Sequence, residues 1–199
     1  MREGRLFRGI LQILSANVLN LFFSVGTAFI LPKFLSVDAY SQIKTYQLYI
    51  TYTAVFHLGY NDGMILKYGG KSIESLEIRE LQTDLSTVRI FQMLMTFGCI
   101  VAGVGLKDPA LFMAACTVFP NNMINYFKNL YQAVGEFKKY SNILNWTTIL
   151  TFAINLILVS VLRTDCYTIY LSGYLLLNMW IWFRLEVSFC KTISASFVG

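Results

Sequence analysis

The sequence predicts an all-α protein, a polytopic bundle of six membrane-crossing helices, and three observations predict it. Six stretches carry no Asp, Glu, Lys or Arg: Gly9 to Pro32, Thr45 to Asn61, Ile90 to Leu106, Pro109 to Phe127, Tyr140 to Leu162 and Cys166 to Phe183, each of 17 to 24 residues. A helix rising about 1.5 Å per residue needs roughly 20 apolar residues to cross a bilayer core. The composition, 56% hydrophobic with a mean hydropathy of +0.55, is richer in apolar residues than that of ordinary soluble domains. The charges are also sorted. With the N-terminus in the cytoplasm and six crossings, the inner segments hold Arg2, Arg5, Arg8, Lys67, Lys71, Arg79, Arg89, Lys128, Lys138, Lys139, Arg184 and Lys191. The outer segments keep only Lys33, Lys44, Lys107 and Arg163 of the 16 basic residues. Such a bias places both termini in the cytoplasm of a multi-pass protein of the inner (cytoplasmic) membrane. It also accounts for the net charge of +5 without nucleic acid, for which no soluble basic stripe with interleaved stacking aromatics exists.

The elements follow in order, as one transmembrane lobe over 1–199. The first helix spans about 9–32. Its apolar run is longer than a signal peptide's and holds Asn17, Asn20, Ser24 and Thr27, so it is expected to stay uncleaved. A short outer turn leads to the second helix, about 41–66. The soluble stretch that follows has Ile73, Leu76, Ile78, Leu81 and Leu85 at near-helical spacing, Ser72 as a cap, and Glu74 and Glu77 where a helix dipole favours them. It predicts a cytoplasmic amphipathic helix over about 72–86, whose balanced charges suit bracing the bundle better than lying among headgroups. Four more helices follow at about 87–106, 109–131, 140–162 and 166–185, joined by tight outer turns at Lys107–Asp108 and Thr164–Asp165. Pro120 is expected to kink the fourth, and Arg184 to Gly199 reads as a weakly polar tail without a seventh span.

Polar residues inside the crossings carry the functional signal, because lipid offers them no partners. Asn17, Asn20, Ser24 and Thr27 share one face of the first helix. Asn122, Asn125, Asn129 and Gln132 repeat that spacing in the fourth, with Asn121 and Lys128 beside them, and Asn145, Thr148 and Asn155 align in the fifth. Two arrangements satisfy such faces: hydrogen bonds between helices, or a water-filled cavity. A lone Asn favours the first; stripes on three helices bring the second level with it. Tyrosines add to the pattern. Tyr46, Tyr49, Thr53, Phe56 and Tyr60 share a face of the second helix, and Tyr167, Tyr170, Tyr174 and Asn178 one of the sixth. A tyrosine gives a sugar both a stacking face and a hydroxyl partner, although packing and an interfacial belt use the same residues. His57, the sole histidine, is either a neutral imidazole bonded to a neighbouring helix or a proton-sensitive group in the cavity. The candidate substrate-binding residues are therefore Asn17, Asn20, Tyr49, His57, Asn121, Asn125, Lys128 and Asn145.

Catalysis and metal chemistry have no footing in the sequence. It holds no Walker A, HExxH or GxSxG motif and no paired carboxylates in mid-crossing, and one histidine cannot supply clustered metal ligands. Cys99, Cys116, Cys166 and Cys190 lack CxxC or CxxH spacing and suit small packing roles. No cofactor is implied. Nor does any carboxylate sit in mid-crossing as the coupling acid of a proton- or sodium-driven exchanger; Asp62 lies at the cytoplasmic end of the second helix.

The run HLGYNDGMILKYGGKS, His57 to Ser72, resembles the segment that closes the second helix in polysaccharide flippases of the MOP (multidrug/oligosaccharidyl-lipid/polysaccharide) exporter superfamily. Ser15 to Tyr49 is similar to their first helix, short outer turn and second helix, the turn here being Leu31 to Tyr40. Tyr131 to Tyr140, YQAVGEFKKY, resembles the family's connection between the fourth and fifth helices. The resemblance implies a transporter, not an enzyme, that flips undecaprenyl-pyrophosphate-linked oligosaccharide to the outer leaflet during O-antigen, capsule or exopolysaccharide assembly. It implies two six-helix lobes around a cavity that opens alternately to either side, with cations meeting the pyrophosphate and polar and aromatic residues meeting the glycan. Lys128 is then the cation in position, or else an ordinary positive-inside anchor. Against that pattern the chain supplies one lobe. The expected partners are the bilayer, the lipid-linked oligosaccharide, polysaccharide-assembly proteins and a second six-helix lobe, as a separate chain or a second copy. A truncated or inactive product, a non-transporting membrane scaffold and a drug or ion exchanger stay open as alternatives.

Overall fold

The computed structural model describes residues 2–195. The side chains of Arg2, Arg5 and Glu74, used above for orientation and capping, lie outside the described residues, as do residues 196–199. Among the described residues the chain is all-helical, with seven helices: α1 (Arg2–Phe34), α2 (Val37–Tyr52), α3 (Tyr60–Tyr68), α4 (Ile78–Leu106), α5 (Pro109–Ala133), α6 (Phe137–Ile157) and α7 (Tyr167–Ala195). Three helical stretches, Phe7–Phe34, Ile78–Leu106 and Phe137–Leu162, are long and apolar enough to cross a membrane. Their outward faces match. Phe7, Leu14, Phe22 and Phe29 on α1, and Ile90, Leu94, Phe97 and Val101 on α4, are all exposed. Water would not tolerate continuous apolar faces of this extent, whereas lipid requires them.

Helix α5 is the hub. It packs against α2, α3, α4, α6 and α7, while α1 lies mainly along α6. Small residues permit the close approach, since Ala110, Ala114 and Ala115 are fully buried. On the facing helix, a Cβ added to Gly103 would meet the Phe112 Cα at 2.9 Å, so only glycine lets α4 turn back onto α5 there. One half of the core gathers Tyr68, Leu81, Leu85, Tyr126, Phe127 and Phe189 around the end of α5 that leads to Ala133. The other gathers Leu31, Ile43, Tyr46, Ala114, Tyr170 and Leu171 around its beginning.

Polar caps close the turns. The Ser36 hydroxyl accepts from the Ala39 N–H at 3.2 Å, and the Ser36 N–H donates to Asp165 Oδ1 at 2.7 Å, tying the α1–α2 turn to the one before α7. Asp108 caps α5, accepting from the Leu111 N–H at 3.0 Å and from the Tyr49 hydroxyl at 2.8 Å. At the opposite end Lys67 bridges Glu80 at 3.0 Å and Asp84 at 2.8 Å, Tyr68 donates to Asp84, and Arg89 pairs with Glu186. Two of the basic residues at that end, Lys67 and Arg89, are thus held in close ion pairs.

Three expectations are corrected. The stretch 41–66 is not one helix: α2 ends at Tyr52, a 3₁₀ segment covers Thr53–His57, Leu58 and Gly59 are left-handed at φ 46° and 77°, and α3 begins at Tyr60. Residues 72–86 do not form a separate amphipathic helix. A single 3₁₀ turn at Ile73–Ser75 gives way to extended Leu76 and Glu77, and the rest of the pattern is the start of α4. The buried face of α4 runs unbroken through Leu81, Leu85, Val88 and Gln92, so the amphipathic stretch and the third apolar window belong to one 29-residue helix. Lastly, α7 continues to Ala195 where a weakly polar tail was expected. Helix α5 runs on through Pro120.

Candidate functional site

The break between α2 and α3 sits against the middle of α5 and sets the chemistry around it. Where an α-helix stops, backbone carbonyls lose their intrahelical donors, and where the break is buried water cannot replace them. Two side-chain amides do so here. Asn122 Nδ2 donates to the Thr53 carbonyl at 3.3 Å, and Gln92 Nε2 donates to the Phe56 carbonyl at 3.2 Å. The two are joined, because Asn122 Nδ2 also donates to Gln92 Oε1 at 2.7 Å. Thr53 closes the set: its hydroxyl bonds the Ile50 carbonyl at 2.7 Å and contacts Asn122 Oδ1 at 3.5 Å. Asn122 is 0% exposed and Gln92 1%. The broken helix is therefore held open by a dry network from α4 and α5.

On the adjoining edge of α5 the polar residues are differently placed. Asn121 reaches back to the Thr53 hydroxyl at 3.4 Å. Asn125 and Lys128, one and two turns further, are half-buried and have no hydrogen-bond or ion-pair partner among the described residues. Asn129 and Gln132 continue that half-open edge. His57 is buried at the end of the 3₁₀ segment with its Nε2 unpartnered, within electrostatic reach of Lys128. It lines a cleft of about 330 Å³ with Leu58, Gly59, Tyr60, Val88 and Gln92. The edge thus joins a cation, neutral amides and an imidazole without a carboxylate among them, a set that suits an anionic or hydroxyl-rich ligand.

The remaining candidates divide. Asn20 Nδ2 donates to Thr148 Oγ1 at 2.7 Å and so ties α1 to α6, while Asn17 is exposed one turn earlier. Asn145, one turn before Thr148, keeps a buried Oδ1 without a partner. Tyr49 is committed to Asp108 at the opposite end of the bundle from Lys128. The structure therefore brings Asn121, Asn125, Lys128 and His57 to one region, places Asn20 and Asn145 on the α1–α6 pair, and removes Tyr49 to a structural contact. Three of the other stripe tyrosines are also engaged within the fold: Tyr46 donates to Thr117 Oγ1 at 3.0 Å and stacks on Tyr174 at 5.9 Å, Tyr174 donates to Asn155, and Tyr170 donates to the Thr164 carbonyl at 3.1 Å.

Gln92 and Thr53 were not singled out from the sequence as site residues, although Gln92 is the lone amide of the charge-free window 90–106. Asn122 was read as one of a stripe, whereas it belongs to the dry network.

Fold and site together define an all-helical membrane protein, three of whose helices are long and apolar enough to cross a membrane, with a broken helix packed against the middle of α5 and a half-open polar edge beside it. Comparison with protein-family models, curated proteins and solved structures finds no match to this chain.

Proposed function

We propose that this chain is one lobe of a polysaccharide flippase of the MOP type, six crossings deep, and moves undecaprenyl-pyrophosphate-linked oligosaccharide across the cytoplasmic membrane. In this reading α2 and α3 together make the second crossing, α5 and α7 the fourth and sixth, and both termini are cytoplasmic. The observation that carries it is the unpartnered edge Asn125–Lys128. In a bundle whose other mid-depth amides are largely bonded, a lone cation on a half-open helix edge costs several kcal/mol in lipid unless it meets water or an anion. A pyrophosphate is such an anion, and Asn121 and Asn125 supply amide partners for the sugar hydroxyls. A second lobe, from another chain or a second copy, is the surface against which that edge would close. The bonded tyrosines Tyr46, Tyr49, Tyr170 and Tyr174 favour a second reading, a packed scaffold that does not transport. The described carboxylates Asp84, Asp108 and Glu186 are engaged near the helix ends, which disfavours an ion-coupled exchanger.

The test is complementation in a strain lacking its own flippase. Co-expression with a matching C-terminal half should restore surface polysaccharide, Lys128→Gln should abolish the rescue, and the chain alone should fail. No rescue by either the wild type or Lys128→Gln would favour the scaffold, and equal rescue by both would remove Lys128 from the site.

A further inference from the structure

A second polar feature lies apart from the α5 edge, between α6 and α7 at the basic end of the bundle. A groove of about 450 Å³ runs between two helical stripes, Lys139, Asn142 and Trp146 from α6 and Trp180 and Arg184 from α7, with Tyr131 at the end of α5 closing one side. Ile143 and Ile181, both buried, form its floor. Its charge is positive and little compensated. Lys139 meets only Glu136, at a long 3.7 Å, and its Nζ lies 5.2 Å over the Tyr131 ring. Arg184 has no ion pair among the described residues and stacks 5.7 Å over the Trp180 ring. The acid nearest to Arg184 in sequence, Glu186, is taken by Arg89 and by Trp182 Nε1 at 3.2 Å. The indoles are unusual for their size: Trp146 is 61% exposed and Trp180 53%.

We propose that this groove binds an anionic glycerophospholipid of the leaflet at the basic end. The phosphodiester would sit between Lys139 and Arg184 with Asn142 as a neutral donor, and one acyl chain would descend past Trp146 and Trp180. The chemistry fits in each part. Two cations from facing helices match one phosphodiester, indoles hold the boundary between headgroup and chain, and the apolar floor continues into exposed Leu176 and Met179 of α7. A free phosphate would use the cations alone and leave the indoles and the floor unexplained. The inference rests on α6 and α7 crossing the membrane, and is otherwise independent of flipping.

The three tryptophans of the chain make the site its own reporter. In a Trp182→Phe background only Trp146 and Trp180 emit. Reconstituted in vesicles, they should be quenched by brominated phosphatidylglycerol at roughly one-tenth the mole fraction that brominated phosphatidylcholine requires, as two basic residues near an anionic headgroup imply. Lys139→Gln with Arg184→Gln should erase that preference while quenching by phosphatidylcholine persists, which shows the variant still inserted. Millimolar inorganic phosphate should leave the preference unchanged. Equal quenching by the two lipids, or reversal by inorganic phosphate, would overturn the lipid site. Absence of quenching by either lipid would instead overturn the membrane placement of α6 and α7 itself.

Discussion

The two polar edges of α5 are built from the same residue type and do opposite things. Asn122 faces Thr53 and Gln92 and is fully buried, its amide spent on a broken helix. Asn125, three residues on, is half-buried and unpartnered, and Lys128 extends that edge with a charge. An asparagine in a membrane helix is thus not by itself a sign of a cavity. What distinguishes the two is whether a neighbouring backbone has a carbonyl to offer, and the α2–α3 break offers one to Asn122.

Removing the dry side of this comparison should cost most. Asn122→Leu leaves Gln92 Oε1 without its donor and strips the side-chain amide from the Thr53 carbonyl, and at about 1–3 kcal/mol per buried unsatisfied group the loss should be on the order of 2 kcal/mol. Unfolding in mixed micelles with a denaturing detergent measures it. Gln92→Leu should lose roughly half as much, and the double variant less than the sum, by about 1 kcal/mol of coupling through the shared bond. Additive losses would mean that the network is not one unit.

The open edge should respond in the reverse sense. Lys128→Gln removes a half-buried charge that has no partner among the described residues, so the same unfolding assay should show no loss and a gain of up to about 1 kcal/mol. A loss above 1 kcal/mol would show that Lys128 has a structural partner, and the two edges would then differ less than their geometry suggests.

Glycine substitution sharpens the origin of the break. Leu58 holds φ 46°, which costs a non-glycine residue about 1–2 kcal/mol, so Leu58→Gly should stabilise by roughly 1 kcal/mol, and Gly59→Ala, at φ 77°, should destabilise by about as much. If neither moves the unfolding midpoint, the left-handed pair is not what divides α2 from α3.

The smallest effect concerns the opposite end of the bundle. Burial raises the Asp108 carboxyl, but the hydrogen bonds from Leu111, Tyr49 and Ala110 outweigh it and leave the group below its ordinary value. Its contribution is therefore complete above the unfolded carboxylate range and fades as the pH falls through the lowered folded value. Asp108→Asn should cost about 1 kcal/mol near neutrality and nothing at strongly acidic pH, read from melting curves across that range.

Much of the bundle was legible because lipid imposes a simple rule, long charge-free runs, and α1, α4 and α6 follow it. The other expected crossings are less plain for separate physical reasons. The stretch from α2 to α3 is interrupted; α5 carries Asn121, Asn122, Asn125, Lys128, Asn129 and Gln132; α7 replaces aliphatic residues with Tyr167, Tyr170, Tyr174, Trp180 and Trp182. The break itself was hidden, since no charge or proline marks residues 45–61 and its stabilising amides lie far off in sequence at Gln92 and Asn122. The start of α4 was misjudged because Arg79, Glu80, Asp84 and Arg89 look like a soluble boundary, whereas Glu80, Asp84 and Arg89 are absorbed into ion pairs at the basic end. Spacing alone put Asn125 and Lys128 on one face. It could not separate them from Asn122.

Thiol accessibility tests that separation most directly. In a background with all four cysteines replaced, single cysteines at Asn125, Lys128, Ala115 and Phe97 sample the open edge twice, the packed interior and the apolar exterior. Asn125→Cys and Lys128→Cys should react with a membrane-impermeant, water-soluble maleimide in open membranes far faster than Ala115→Cys or Phe97→Cys. Reaction at both edge positions no faster than at those two controls would contradict a wet edge on α5 and return the chain to a packed scaffold.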